Sequence, residues 1–309
     1  MRLAATAAGA ILLLAGVSCG GGATNRDALP EKLTRIVLEP TTPGTEEQLD
    51  VAIGIMRARL ERLGVDSADI RRDGGRIAVI LPGNVDRVLP IVMRRGRLEF
   101  FDLQGDLVPD ISVDIRGFPV PRRRPPRLRL KTIVITCGEG ERYCPGVNAE
   151  LTGTYYYLFR YDPDNLKHPV PELTGDDIEL KGTRQDFGTQ GAESGQPLVL
   201  IQFTSSGAKE FHELTRTLAE RGQFRFNQSG GAGDPELYSQ QLAIVLDREM
   251  KSAPSVSFRD NPDGIPGGNG AQIAGIGSLK EAKDLEIVLQ TGALPLEFRV
   301  LSQEERRIK

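Results

Sequence analysis

The segment 45–64 reads TEEQLDVAIGIMRARLERLG and decides more of the fold than any other stretch. Its first four residues, Thr45 to Gln48, form a capping-box pattern, which satisfies free backbone N–H groups at the start of a helix. Arg59 and the neighbouring charged residues fall largely outside the apolar stripe, and Gly64 is a typical C-terminal stop. The apolar side chains recur at steps of three and four residues, at Leu49, Ile53, Met56, Leu60 and Leu63. The pattern predicts an amphipathic helix that packs on a sheet.

Strands are predicted around this helix, at 35–39, 76–81 and 97–103. A weaker helical stretch covers 85–94, where Pro90 either kinks the helix or delays its start. A similar unit closes the chain: a strand at 272–276, a helix that begins at a second capping pattern, Ser278–Glu281, and a strand at 294–301. The apolar face of that helix is predicted at Leu279, Ala282, Leu285 and Leu289. Two such units at opposite ends of the chain predict an α+β base domain that is split by an insertion.

The insertion is rich in predicted strands and loops. Strands are predicted at 131–137, 155–161, 198–204 and 241–247, with one clear helix at 206–219. Two segments, 188–196 and 227–233, have the composition of mobile linkers. The predicted division is a signal peptide 1–18, a tether 19–33, base residues 34–105, an inserted head 106–271, base residues 272–303 and a tail 304–309.

Composition excludes several classes of protein. The chain has 39 Lys and Arg against 42 Asp and Glu and a formal net charge of -3, which argues against a dedicated nucleic-acid binder. Two histidines and three cysteines leave little material for a metal site, and no cofactor motif is present. The sequence has no Gly-x-Ser-x-Gly, phosphate-loop or His-Glu-x-x-His motif. We therefore expect a non-enzymatic protein without metal or cofactor.

The first residues have the pattern of an export signal. Residues 3–17 carry no charge, but fifteen apolar residues are fewer than the roughly 20 that a helix needs to span a bilayer. Cys19 follows Ser18 and precedes a glycine run, as in the lipobox of bacterial lipoproteins, although Gly16 stands where leucine is usual. Cys19 is therefore predicted to carry a lipid anchor on the outward face of the bacterial cell envelope; a signal without lipidation is the alternative.

The two other cysteines, Cys137 and Cys144, are predicted to form a disulfide. An oxidising compartment outside the cytoplasm allows such a bond to persist, and Gly138, Gly140 and Pro145 permit a tight loop between them. The alternative, a zinc site, lacks further ligands at suitable spacing.

Several segments together resemble one known family. In order and spacing they are similar to the first periplasmic domain of SecD, the accessory subunit of protein export. The resemblance runs from about 34 to 301 and is poor over 106–196. It rests on MRARLERLGV at 56–65, RIAVILPG at 76–83, GRLEF at 96–100, FTSSGAK at 203–209, QLAIVLD at 241–247, EAKDL at 281–285 and TGALP at 291–295.

The resemblance implies a split ferredoxin-like base and a mobile head that contacts exported polypeptide. SecD proteins continue beyond the TGALP segment into transmembrane helices that couple movement to proton flow, whereas this sequence stops at Lys309. We therefore expect a stand-alone, lipid-anchored SecD-like protein. It would assist exported polypeptide, with the Sec translocon as a possible partner, and would lack a proton-driven motor of its own. An extracytoplasmic binding module for a small molecule or an envelope polymer is the alternative.

Two features suit a protein that binds polypeptide or membrane. In the predicted strand 155–161, alternation places Tyr155, Tyr157, Phe159 and Tyr161 on one face. That face is either buried in the head or a hydrophobic surface for polypeptide. The run 121–131 carries six cations and is either a solvated loop or a contact with anionic lipid headgroups.

Overall fold

The computed structural model describes residues 32–83, 85–114, 117–138, 141, 143–148, 150–189 and 194–307. The predicted signal peptide and Cys19 lie outside these residues. The fold is α+β. The helices are α1 (Glu46–Arg62), α2 (Leu89–Met93), α3 (Leu103–Asp106), α4 (Ser205–Gln228) and α5 (Leu279–Thr291). The strands are β1 (Lys32–Pro40), β2 (Asp69–Asp73), β3 (Arg76–Pro82), β4 (Leu98–Asp102), β5 (Thr132–Cys137), β6 (Tyr155–Arg160), β7 (Leu173–Thr174), β8 (Arg184–Phe187), β9 (Pro197–Ile201), β10 (Gln240–Leu246), β11 (Glu249–Ser252), β12 (Ser255–Val256), β13 (Ala271–Ile273) and β14 (Phe298–Arg307).

The first sheet joins the two ends of the chain. Its four strands lie in the order β14-β1-β3-β2, and every neighbouring pair is antiparallel. Strand β14 pairs with β1 along its whole length, from Lys32 opposite Arg307 to Pro40 opposite Phe298. Helix α1 covers this sheet with its apolar stripe, so that Leu49, Met56 and Leu60 share one hydrophobic core with the strands.

Local signals set the helix boundaries of this region. The predicted capping box is confirmed: Gln48 N donates to Thr45 Oγ1 at 3.2 Å, and Thr45 N donates to Gln48 Oε1 at 2.9 Å. The helix expected within 85–94 begins late, at Leu89, and Pro90 lies in its first turn, where no intrahelical N–H donor is needed. Strand β2 was not predicted, because only Ile70 among its five residues is buried.

The second sheet has seven strands in the order β6-β5-β11-β10-β4-β7, with β12 also on β10. Strand β4 was expected to be the third strand of the base, but it pairs with β10 and β7 in this sheet. The reason is its burial: all five residues of β4 are buried, with Leu98 and Phe100 in one core cluster and Phe101 in another. A strand covered on both faces needs a central position.

Helix α4 and a third sheet, β13-β9-β8, cover one face of the seven-stranded sheet. Helix α4 extends nine residues beyond its predicted end at 219, so the segment expected to be a linker from 227 begins inside it. Tertiary packing stabilises the added turns, since the ring of Phe226 lies 5.5 Å from Tyr238 and 5.6 Å from Phe258.

A buried arginine connects the helices of the first sheet. Arg59 on α1 is fully buried, although the sequence pattern placed it outside the apolar stripe. Its guanidinium donates to the carbonyl oxygens of Ile91 at 3.2 Å, Val92 at 3.1 Å and Gly292 at 2.8 Å, and also to that of Arg94. Burial lowers the pKa of Arg59 to about 10, and the charge of Asp247 opposes this shift. The side chain therefore stays a cation whose donors satisfy carbonyl groups at the ends of α2 and α5.

We predict that Arg59→Ala lowers the free energy of unfolding by about 3–5 kcal/mol, because it leaves several buried carbonyl oxygens without donors. Arg57→Ala is the control on the same helix, since Arg57 is exposed and makes one hydrogen bond, to Ile70 O. Its expected cost is about 1 kcal/mol. Urea unfolding of both variants measures the difference. Equal losses would show that Arg59 does not hold these elements together.

Candidate functional site

The aromatic strand predicted to bind polypeptide is a core strand. Tyr157 and Phe159 on β6 are 0% exposed, and Tyr155 is also buried. The ring of Phe159 lies 5.2 Å from that of Phe101, and the Tyr157 hydroxyl donates to Pro145 O at 2.6 Å. The surface interpretation is therefore wrong for these three residues. Alternation identified which side chains share a face, but it could not show that loops 107–113 and 143–151 supply apolar cover for that face.

Tyr161, the fourth aromatic candidate, has a different environment. It is partly exposed, and its hydroxyl donates to Glu99 Oε1 at 3.2 Å. The guanidinium carbon of Arg97 lies 5.4 Å from the centre of its ring. Burial raises the pKa of Glu99, which the charge of Arg97 opposes. Tyr161 therefore packs at the edge of the same core, and its hydroxyl is held by Glu99.

The two predicted disulfide partners lie together in the same core. The structure joins Cys137 at the end of β5 to Cys144, with their Cα atoms 5.8 Å apart. Both cysteines are buried, and the carbonyl that accepts the Tyr157 hydroxyl belongs to the next residue, Pro145. The cysteine pair thus fixes a loop against the aromatic strand.

Among the described residues, no three His, Cys, Asp or Glu side chains come together as metal ligands. The same part of the chain has no helix with the length and apolar character needed to cross a bilayer. His212 lies on α4 beside Ile265 O, and His168 is exposed on a loop.

A groove of about 760 Å³ lies between helix α4 and the loop 162–170 that follows β6. Leu214 and Thr217 line it from α4, and Leu166 and Val170 line it from the loop. Its charged lining is mixed in sign and consists of Asp102, Asp106, Lys131, Arg160, Asp162, Lys167, Glu172, Glu210, Glu213 and Arg221. The groove therefore offers apolar contacts beside hydrogen-bonding groups, and no motif in the sequence predicted it.

Three carboxyl groups form one end of this groove. The backbone N–H of Asp102 donates to Asp106 Oδ2 and to Glu172 Oε2, both at 3.1 Å, so the two side chains meet at one donor. Arg221 from α4 donates to both carboxylate oxygens of Asp102, and Nη1 lies 2.8 Å from Oδ1. Arg160 contacts Asp106 Oδ1 at 3.3 Å. Two arginines thus face three carboxyl groups.

Burial changes the ionisation of this cluster. It raises the pKa of Asp106 to about 6, and the charge of Asp102 acts in the same direction. Burial also raises the pKa of Glu172 well above its usual range, and the charges of Asp106 and Asp102 add to the effect. Because like charges this close disfavour double ionisation, the pair holds a proton at mildly acidic pH.

We predict that Asp106 makes stability depend on pH. Its pKa is raised in the folded state, so the protonated form favours folding. This contribution to stability is complete below the pKa of about 4 in the unfolded state and is lost as pH rises through 6. The loss is on the order of 2–3 kcal/mol. Asp106→Asn should make this decrease smaller and leave the part that comes from Glu172, whereas Asp164→Asn, on the exposed part of the neighbouring loop, should not change it. Urea unfolding between pH 4 and pH 7 tests this, and an unchanged slope in Asp106→Asn would contradict it.

The first and second sheets meet around Gly96. Its φ of +75° favours glycine, and a Cβ atom there would lie 2.7 Å from Val288. The backbone N–H groups of Gly96 and Arg97 donate to the Asp247 carboxylate at 3.1 and 2.8 Å. A second cavity, of about 460 Å³, lies beside this junction and is lined by 95–98, 174–176 and 292–295 among others. Hydrogen bonds to Asp247 therefore join the two sheets at a point that lies next to a cavity.

Comparison with known proteins gives a consistent result. Residues 158–296 match the family described as SecDF, P1 head subdomain. SecD of Calditerrivibrio nitroreducens is 27% identical over 256 residues, which cover 82% of this chain and 40% of that protein. SecDF of Thermus thermophilus is 29% identical over 276 residues, which cover 86% of this chain and 29% of that protein. SecD of Acidaminococcus fermentans is 36% identical over 129 residues, which cover 42% of this chain and 24% of that protein.

Solved structures agree. The structure of SecDF in its super-membrane-facing form matches with a TM-score of 0.57 at 27% identity, covering 89% of this chain and 30% of that one. A structure of SecDF, described as a membrane component that enhances protein export, matches with a TM-score of 0.54 at 27% identity, covering 87% of this chain and 98% of that one. The chain is thus similar to SecD and SecDF, which agrees with the resemblance seen in the sequence, and it spans about two-fifths or less of the curated relatives' length.

Proposed function

We propose that this protein is an extracytoplasmic accessory of protein export that binds or assists exported polypeptide. One observation carries the proposal: similarity to protein translocase subunits SecD and SecDF extends over more than four-fifths of the chain. The matched structure of a SecDF that enhances protein export supports the same role. In this proposal the protein works beside the Sec translocon and has no enzymatic activity.

The proposed architecture is a split ferredoxin-like base that carries an inserted head. The sheet order β14-β1-β3-β2, with α1 between β1 and β2, supports a ferredoxin-like base, because that topology places its fourth strand beside its first. Strand β4 and the two other sheets then belong to the head side of the junction. Because β1 and β14 pair, the chain enters and leaves the proposed head from the same base sheet.

The groove between α4 and the loop 162–170 is the proposed polypeptide contact. An exported chain is unfolded, and it offers apolar side chains and backbone groups without a fixed motif. Leu214 and Val170 provide apolar walls, and the guanidinium groups of Arg160 and Arg221 provide donors near the carboxyl cluster. This groove replaces the buried aromatic strand as the candidate surface.

We predict that filling the groove weakens polypeptide binding. Thr217→Trp places a large ring on the exposed, groove-lining side of α4, and it should lower affinity for a reduced, permanently unfolded protein by about tenfold or more. Lys209→Trp is the control, because Lys209 is exposed on the same helix and does not line the groove. Fluorescence anisotropy with the full chain measures affinity, and thermal unfolding checks that both variants fold.

Two results would contradict this proposal. Equal affinity of the two variants for unfolded protein would exclude the groove as the contact. Absence of any affinity in the wild type, together with binding of a small ligand or a glycan, would favour an extracytoplasmic binding module instead of an export accessory.

The proposed location is the outward face of the cell membrane, with Cys19 as the lipidated residue. The support is the sequence pattern alone: Cys19 follows an apolar run and precedes a glycine-rich segment. A lipid at this position would hold the protein close to the membrane in which SecD proteins work.

Cys19→Ser should remove the anchor and release the protein from washed membranes. Metabolic labelling with a fatty-acid analogue should mark the wild type and leave the variant unmarked. Cys144→Ser is a matched control, since it removes a cysteine far from the predicted signal and should keep the label. A wild type that stays with membranes without any label would contradict lipidation.

A further inference from the structure

The hairpin of β5 and β6 carries two neighbouring loops at one end. Thr132 at the start of β5 pairs with Arg160 at the end of β6, so the segment 121–131 and the loop 162–170 leave the sheet side by side. Tyr161 N donates to Lys131 O at 2.9 Å, and Lys131 Nζ lies 2.7 Å from Asp162 Oδ2. We call this pair of loops the leucine tip, because its exposed apolar residues are Leu128, Leu130 and Leu166.

The three leucines of the tip are unusually exposed for apolar side chains. Leu128 is 67% exposed, Leu130 is 93% exposed and Leu166 is 100% exposed. Single exposed leucines are common on protein surfaces, but here three of them project from two adjoining loops. Each of these side chains gains free energy if it leaves water on binding.

Positive charge surrounds these leucines. The segment 121–131 contains five arginines and one lysine and no acidic residue, whereas the loop 162–170 contains two aspartates and one lysine. Arg124, Arg127 and Arg129 are exposed, and their side chains make no hydrogen bond or ion pair within the described residues. These three guanidinium groups are therefore available to an external anion. Planar guanidinium groups are well suited to bind phosphate oxygens.

The base of the tip is fixed. Arg122 and Tyr156 exchange two backbone hydrogen bonds, at 2.9 and 2.8 Å. The guanidinium carbon of Arg123 lies 4.0 Å from the centre of the Tyr155 ring. At the other end of the segment, Arg129 N donates to Thr132 Oγ1 at 2.8 Å. Because these contacts order the segment in the free protein, binding through the tip needs little additional ordering.

We propose that the leucine tip is a docking surface for the anionic headgroup layer of a membrane. Exposed leucines beside unpaired arginines are the combination that binds at the boundary between acyl chains and headgroups. Charge complementarity selects anionic lipids, since the two loops of the tip together carry seven Arg and Lys residues against two aspartates. The tip shares the loop 162–170 with the proposed polypeptide groove, but Arg124, Arg127 and Arg129 do not line that groove, and the contact does not require the lipid at Cys19. It would set how the protein is oriented on the membrane.

The absence of tryptophan from the chain gives a direct test. Leu130→Trp introduces a single indole at the tip of the full-length protein. Leu237→Trp is the control, because Leu237 is 71% exposed but lies beside Asp234 and Glu236. Each protein is mixed with vesicles of phosphatidylcholine and phosphatidylglycerol that carry brominated acyl chains, which quench an indole in the headgroup boundary.

Leu130→Trp should lose about half of its indole emission on these vesicles, and Leu237→Trp should not. Replacing Arg124, Arg127 and Arg129 by Gln in the Leu130→Trp protein should restore the emission, as should high salt or pure phosphatidylcholine. The quenching reports where the tip lies, whatever else holds the protein to the vesicle.

Three results would overturn the proposal: no quenching of Leu130→Trp, equal quenching of both proteins, or quenching that the arginine substitutions leave unchanged. If lipid has no effect but soluble polyglutamate changes the emission of Leu130→Trp, the tip binds an acidic protein instead. Loss of polypeptide binding with intact quenching would contradict the proposed function alone.

Discussion

The buried guanidinium of Arg59 is the contact on which the arrangement of this protein depends. It reaches from α1 to carbonyl groups at 91–94, just before the chain enters the second sheet, and to Gly292, just after the chain leaves α5. One side chain therefore connects α1 to the segment before β4 and to the segment between α5 and β14. Together with the β1–β14 pairing, this contact joins segments that are far apart in the sequence.

Local patterns predicted local structure well. The capping box at Thr45 and Gln48 needs only neighbouring residues, so the sequence placed the start of α1 correctly. Arg59 shows the limit of the same reasoning. Helical periodicity assigns polar residues to the exposed face, but it does not predict that carbonyl groups from distant segments will bind a buried arginine. Strand β4 shows it again: its position was predicted, but its pairing with β10 joins residues about 140 positions apart.

The candidate site depended even more on tertiary structure. Asp102 and Asp106 are close in sequence. Glu172, which accepts a hydrogen bond from the Asp102 backbone N–H, is 70 residues away, and Arg221 is 119 residues from Asp102. Acidic residues are common in sequences of this composition, so nothing marked these three as a buried cluster. The aromatic strand did attract attention by its composition, yet large apolar side chains more often fill a core than form a surface.

The central claim is that the groove beside α4 contacts polypeptide during export, and crosslinking in living cells tests it most directly. A photoreactive amino acid is placed at Thr217 in the groove, or at exposed Glu47 on the base as a control, while a secreted protein is stalled during translocation. If the groove contacts polypeptide, the stalled chain forms a crosslink with position 217 but not with position 47. No crosslink at 217, or equal crosslinks at both positions, would contradict it.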